Sequence, residues 1–222
     1  MRVDAAHLLL PIVTNNPFVI YSDEASFRTD GHVNKWNAFL WDYERPEDFI
    51  VESDQGAKRV MVWAAMSSDK LFGPYFFPSM VTADVYQAVI SEFFIPDVQQ
   101  QIGNLNHLWF QQDGAPAHAA GETKSLLQSY FHERIISRGF SAEWPPRSPD
   151  LTPCDFHLWS AVAELVYVNG AFTTVDDLRS ALINAFNTLR IHHMDDIKKA
   201  VLSVPRRLHE CIQVNGSHLV HR

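Results

Sequence analysis

Three aspartates stand where carboxylates could do chemistry. Asp23 follows the run Phe18-Val19-Ile20-Tyr21-Ser22, Asp113 follows His107-Leu108-Trp109-Phe110-Gln111, and Asp155 comes just after Thr152-Pro153. The two runs are β-branched and aromatic, as buried strands are, and each acid sits where its strand is expected to end. Thr152 offers a hydroxyl cap and Pro153 suits a first helical position, which predicts Asp155 in a first helical turn. If the two strands are parallel neighbours, Asp23 and Asp113 lie side by side at their carboxyl ends, the edge where open α/β sheets bind ligands. A helix packed on the sheet could bring Asp155 opposite them.

Carboxylates that converge repel, and one of them is forced to keep its proton unless a cation intervenes. Mg²⁺ prefers oxygen ligands and is commonly held by one or two carboxylates with water and substrate phosphate. Two such ions about 3.5–4 Å apart clamp the entering and leaving oxygens of a displacement at phosphorus. The pattern points to phosphodiester chemistry. Each acid also has a structural use. Asp113-Gly114 is an ordinary turn pair, Asp23 with Glu24 suits a strand end, and Asp155 complements a helix dipole. Asp150, in Ser-Pro-Asp, competes for the third place or shapes the turn. His118 is either a donor behind Asp113 or a residue of a helix first turn. Glu24 is expected on the opposite face from Asp23 and is not chosen as a ligand.

Further strands are expected at Arg59–Ser67, Gly73–Phe77 and Arg134–Ser137, with a hairpin signal at Asp30-Gly31 pairing "ASFRT" with "HVNKWNAFLWD". Helices are expected from Thr82 to Val98, across "HAAGETKSLLQSYF", from Thr152 to about Leu165, after Thr174, and in a last stretch broken near Pro205. This order fits one α/β domain with a mixed central sheet flanked by helices: 1–17 as a short lead-in and 18–222 as the catalytic domain.

The 222 residues are 46% hydrophobic, enough for a sizeable core. No apolar run is long enough to span a bilayer, the start is a poor signal peptide, and two cysteines are too few for a disulfide framework. The formal net charge is −8, awkward for a protein that holds DNA, because Lys and Arg supply most non-specific affinity. Local basic residues would have to compensate. Arg147, between Pro145-Pro146 and Pro149, could fix a guanidinium on a phosphate or pair with Asp150 or Glu143. Lys35, Lys58 and Arg59 are expected to extend a basic strip.

The segments "YSDEASF", "GHVNKWN", "WFQQDGAPAH", "WPPRSPDLTPCDFHLW" and "RRLHECIQVNGSHLVHR" resemble, in order and over nearly the whole chain, the catalytic domain of mariner-like DNA transposases. The resemblance implies a ribonuclease H-like fold and a DDE/D triad of Asp23, Asp113 and Asp155. Asp23 would contact both of two Mg²⁺ ions (Mn²⁺ can substitute), and Asp113 and Asp155 would each complete one. It further implies hydrolysis at transposon ends, attack of the freed 3′ hydroxyl on target DNA, and a nuclear protein whose partner is DNA. A homodimer is compatible with it, whereas a membrane or a small-molecule substrate is not expected. Two departures stand out: Asp113 and Asp155 are 42 positions apart, longer than in mariner proper, and Gly114 replaces a common Asn. No helix-turn-helix region fits ahead of the first strand. The expectation is a truncated or transposon-derived copy, either active or a silent remnant that keeps the fold.

Overall fold

The computed structural model describes residues 1–16, 18–31, 58–78 and 80–219. Five strands form one sheet: β1 Val19–Arg28, β2 Arg59–Met66, β3 Leu71–Phe76, β4 Trp109–Gln111 and β5 Ile135–Ile136, in the order β3-β2-β1-β4-β5. β1 pairs antiparallel with β2, and β2 with β3, whereas β1–β4 and β4–β5 are parallel. The sheet is therefore mixed, and the two strands expected to be parallel neighbours are such.

Alternation along the strands divides the core in two. Ile20, Trp63, Ala65, Phe110 and Ile135 pack on one face with Tyr86, Ile90, Phe94 and Phe131. Tyr21, Phe27, Val62, Ala64 and Ile136 pack on the other with Trp159, Val162, Leu182 and Phe186. The first face is covered by α2 Ala83–Ala88, a π-helical segment Val89–Phe94, α3 Ile95–Gln101, α4 Pro116–Ala119 and α5 Gly121–Phe131. The second is covered by α1 Arg2–Asn15, a π-helical segment Cys154–Leu158, α6 Trp159–Val166, α7 Val175–His192, α8 Met194–Leu202 and α9 Val204–Gln213. α7 shows why such segments are helical: Thr174 Oγ1 accepts from Asp177 N at 3.1 Å, and Leu178, Leu182, Ala185, Phe186 and Leu189 recur on its buried face. None of the helices among the described residues is long and apolar enough to cross a membrane.

Several expectations need correction. β1 does not stop at Ser22; its ladder with β2 runs to the Arg28–Arg59 pair, so Asp23 and Glu24 lie within a strand. The expected hairpin partner after Gly31 lies outside the described residues. The helix expected across "HAAGETKSLLQSYF" is two, because Ala120 is extended (φ −60°, ψ 146°) between α4 and α5. The helix after Thr152 has no side-chain cap and opens with π geometry.

The expected lead-in forms α1, which buries Ala6, Leu9 and Val13 at helical spacing. Its Arg2 reaches into the proline-rich loop and grips Asp150 with both terminal nitrogens, at 2.6 and 3.0 Å. The same guanidinium donates to Ser148 Oγ at 2.8 Å and to the Arg147 carbonyl at 3.3 Å. Asp150 also accepts from the Leu219 amide at 2.9 Å, contacts His218 Nδ1 at 3.2 Å, and offers its own carbonyl to Arg207 at 3.0 Å. Of the two readings of Asp150, the structure shows the one that shapes the loop. The pair is well buried, with 13% and 4% of the two side chains exposed, so removing one partner strands the other's charge. Arg2→Ala is expected to cost about 3 kcal/mol in urea unfolding. Asp150→Asn should cost less in the Arg2→Ala background than alone, and equal costs in a double-mutant cycle would refute the coupling.

Candidate active site

Asp23 sits on the β1 face that looks toward α6, and its Oδ2 accepts from the Trp159 indole at 2.7 Å. The Cys154–Leu158 segment brings Asp155 close enough that the two carboxyl groups act on each other's titration. Burial, then the charges of neighbouring acids, raises Asp23 well above the usual carboxylate range. Burial likewise dominates at Asp155; the interaction with Asp23 opposes it, the charges of Asp113, Glu24 and Asp150 add to it, and the carboxyl is pushed up to about 7. At neutral pH this pair retains a proton.

Asp113 stands just past β4, on the same sheet edge, and with the other two lines a cleft of about 720 Å³. Its carboxylate is turned to His118. Asp113 Oδ1 lies 2.6 Å from His118 Nδ1 and accepts from the Ala115 amide at 2.9 Å. Although 55% of its side chain is exposed, the cleft walls desolvate it; the His118 bond and charge outweigh that penalty and hold the carboxyl below its ordinary value. His118 is 2% exposed. Its Nε2 lies 3.2 Å from Glu24 Oε1, and the Tyr86 ring packs on it at 4.1 Å between centroids. Burial alone would discharge such a ring, but Glu24 and Asp113 on either side push it up to about 10. His118 is therefore an imidazolium that bridges two carboxylates. Glu24 is on the face opposite Asp23, as strand alternation requires.

Two of the three acids thus act on each other and the third shares their cleft. Among the described residues no three His, Cys, Asp or Glu side chains are gathered closely enough to enclose an ion as they stand. The donor set nonetheless fits a hard divalent cation. It is all oxygen, and the raised carboxyls of Asp23 and Asp155 mark uncompensated negative charge.

Arg147 lines the cleft with an exposed side chain and a left-handed backbone (φ 52°), held through its carbonyl by Arg2. It does not pair with Asp150, which Arg2 occupies, nor with Glu143 Oε1, which accepts from the Gly139 amide at 3.0 Å. Lys58 and Arg59 are not brought to the cleft. Arg59 pairs with Arg28 at the far end of β1, five residues beyond Asp23, about 17 Å at the rise of a strand. Lys35 lies outside the described residues. A cleft arginine that the sequence reading missed is Arg138, just after β5. Its position was readable: it is the first charged residue beyond a parallel strand, as Asp113 is. Gly114 leaves it room, since a Cβ there would come within 3.1 Å of the Arg138 side chain. Trp159, also missed, is one helical turn beyond Asp155 and hence on its face.

The raised carboxyls predict a pH dependence. Between about pH 4, where these groups ionise in the unfolded chain, and pH 7, the folded state binds more protons than the unfolded one. Stability without divalent ions should therefore fall as pH rises through that window, by up to about 1.4 kcal/mol per unit and per proton. Asp155→Asn should flatten the slope. Urea midpoints of both proteins from pH 5 to 8 check this, and parallel curves would contradict it.

No protein-family model matches the chain. It is 29% identical over 206 residues to the transposable element Tc3 transposase of Caenorhabditis elegans, covering 92% of this chain and 58% of that one. It is 30% identical over 145 residues to the Tcb1 transposase of Caenorhabditis briggsae, covering 63% and 48%. The chain thus spans about half the length of these relatives. The catalytic domain of Mos1 transposase, solved with Raltegravir and Mn, superposes with a TM-score of 0.73 at 15% identity, over 99% of this chain and 94% of that one. A Mos1 paired-end complex with the left transposon end gives 0.75 at 17% identity, over 99% and 62%. The chain is thus similar in sequence to the Tc3 and Tcb1 transposases over part of their length, and it has the ribonuclease H-like fold of the Mos1 transposase catalytic domain.

Proposed function

We propose that the chain is the catalytic unit of a DNA transposase, cutting phosphodiesters at element ends and joining the freed 3′ end to target DNA. The observation that carries this reading is that Asp23, within β1, and Asp155, coupled to it, line one cleft with Asp113, just past the carboxyl end of β4. Its support from relatives is that two are named transposases and that Mos1 structures were solved with Mg or Mn and with transposon ends.

Asp23, Asp113 and Asp155 are the residues that would hold Mg²⁺ or Mn²⁺. When bound, such ions activate a hydroxyl nucleophile and stabilise the charge that develops on the leaving oxygen. The chain's own groups prepare the site. Trp159 fixes Asp23, His118 orients Asp113, and the π-helical turn seats Asp155 near its partner. Arg138 and Arg147 stand at the cleft to take phosphate oxygens beside an acidic centre. Nuclear action and a homodimeric assembly belong to this reading as proposals. A second reading, a silent remnant that keeps the fold, draws on one feature: Asp113 is bound to His118 and not to the other two acids.

Metal binding separates the two. Divalent ion at ten times its Kd should stabilise the native state by about 1.4 kcal/mol, a rise in Tm of about 3–5 °C. Asp113→Asn should reduce the rise and Asp23→Asn abolish both it and any strand cleavage; equal rises in all three proteins would favour the remnant. DNA binding should be weak, indifferent to sequence and steeply lost with salt. Fluorescence anisotropy with a terminal-repeat duplex and a scrambled one tests this, and a strong preference for the repeat would contradict it.

A further inference from the structure

Gln111 and Gln112 are adjacent in sequence and opposite in circumstance. Gln112 is fully partnered: its Oε1 accepts from Tyr86 Oη at 2.7 Å, and its Nε2 donates to Ser137 Oγ at 3.1 Å and to the His118 carbonyl at 3.3 Å. Gln111, the last residue of β4, faces the other side of the sheet; its backbone lies in the ladders with β1 and β5, and its carbonyl also accepts from Ser22 Oγ at 2.9 Å. It is 0% exposed, and neither Nε2 nor Oε1 has a hydrogen-bond partner among the described residues. Other groups in that condition are single nitrogens of arginines that bond elsewhere, such as Arg2, Arg134 and Arg207, or the Trp63 indole in the core. Gln111 leaves both ends of a carboxamide unmet, and it lines the cleft that holds the three acids.

A buried amide without partners is uncommon, and where one persists it is commonly explained by a ligand, a water or a catalytic role. A purely structural position would be served better by Leu, of similar size and without the desolvation penalty. We propose that Gln111 is a substrate-binding residue: its amide N–H, in the wall of the cleft that Arg138 and Arg147 also line, donates to an oxygen of a phosphodiester of bound DNA. This rests on the transposase reading and adds to it a neutral donor, which grips phosphate without competing with the acids for a cation.

The test compares the full chain with its Gln111→Leu variant in two measurements: thermal unfolding, and anisotropy of a labelled mixed-sequence duplex at low salt. Leu should leave Tm unchanged or raise it, because an unmet polar group is removed, while DNA binding weakens about tenfold, the worth of one hydrogen bond to a charged oxygen. A lowered Tm, with or without weaker binding, would mean that the amide has its partner, a trapped water, before DNA arrives, and would overturn the proposal. So would unchanged Tm with unchanged affinity. If the unaltered chain itself binds no duplex, the DNA reading fails and Gln111 falls with it; if only the variant's affinity is unmoved, Gln111 alone is wrong.

Discussion

Two carboxyl groups held close together in a recess are an expensive arrangement, and the surroundings of Asp23 and Asp155 make sense as its support. Neither has a cation beside it among the described residues, so the pair keeps a proton. Holding like charges close together requires rigid attachment. Asp23 is set in the middle of the longest of the five strands, paired with Ala64 of β2 and two residues beyond the end of the ladder with β4. Asp155 is set on a wide helical turn whose flanks, Cys154 and Phe156, are buried. The Trp159 indole supplies the one neutral donor that makes the charged form of Asp23 less costly.

The third acid follows a different design. Asp113 is countered by an imidazolium that Glu24 shares, so the acids on this side have a cation between them, whereas Asp23 and Asp155 have none among the described residues. The sheet separates the two arrangements: adjacent residues of β1 serve opposite faces, Asp23 with α6 and Glu24 with the short helix α4. Carboxyl groups without a cationic partner are thus confined to one wall, and Arg138 and Arg147 line the same cleft.

Much of this was readable from residue types and spacing. A parallel pair of apolar runs, an acid just past the second and a proline-started helix lead to Asp113 and Asp155, and strand alternation separates Glu24 from Asp23; Asp23 itself lies inside its strand, not at the end the run suggested. What escaped was whatever depended on contacts distant in the chain. Nothing local says that Arg2 reaches Asp150, a hundred and forty-eight residues away, or that Lys58 and Arg59 are carried off along an antiparallel ladder that continues past Ser22. The π geometry at Cys154–Leu158 was invisible because it depends on packing against β1, not on propensity. The Gln-Gln pair shows the limit at its sharpest: identical side chains, one at the end of a three-residue strand and one just past it, turn to opposite faces of the sheet.

The clasp around Asp150 brings the first helix and the tail after α9 to one loop, and Met1 itself lines the acidic cleft. Anyone handling this protein inherits that geometry. A purification tag of consecutive histidines joined to Met1 would start at the cleft wall, convert the terminal ammonium that pairs with Asp4 into an amide, and place metal-seeking imidazoles next to the carboxylates under study. A cleavable tag, removed before any metal titration, keeps the measured ion on the protein's own oxygens.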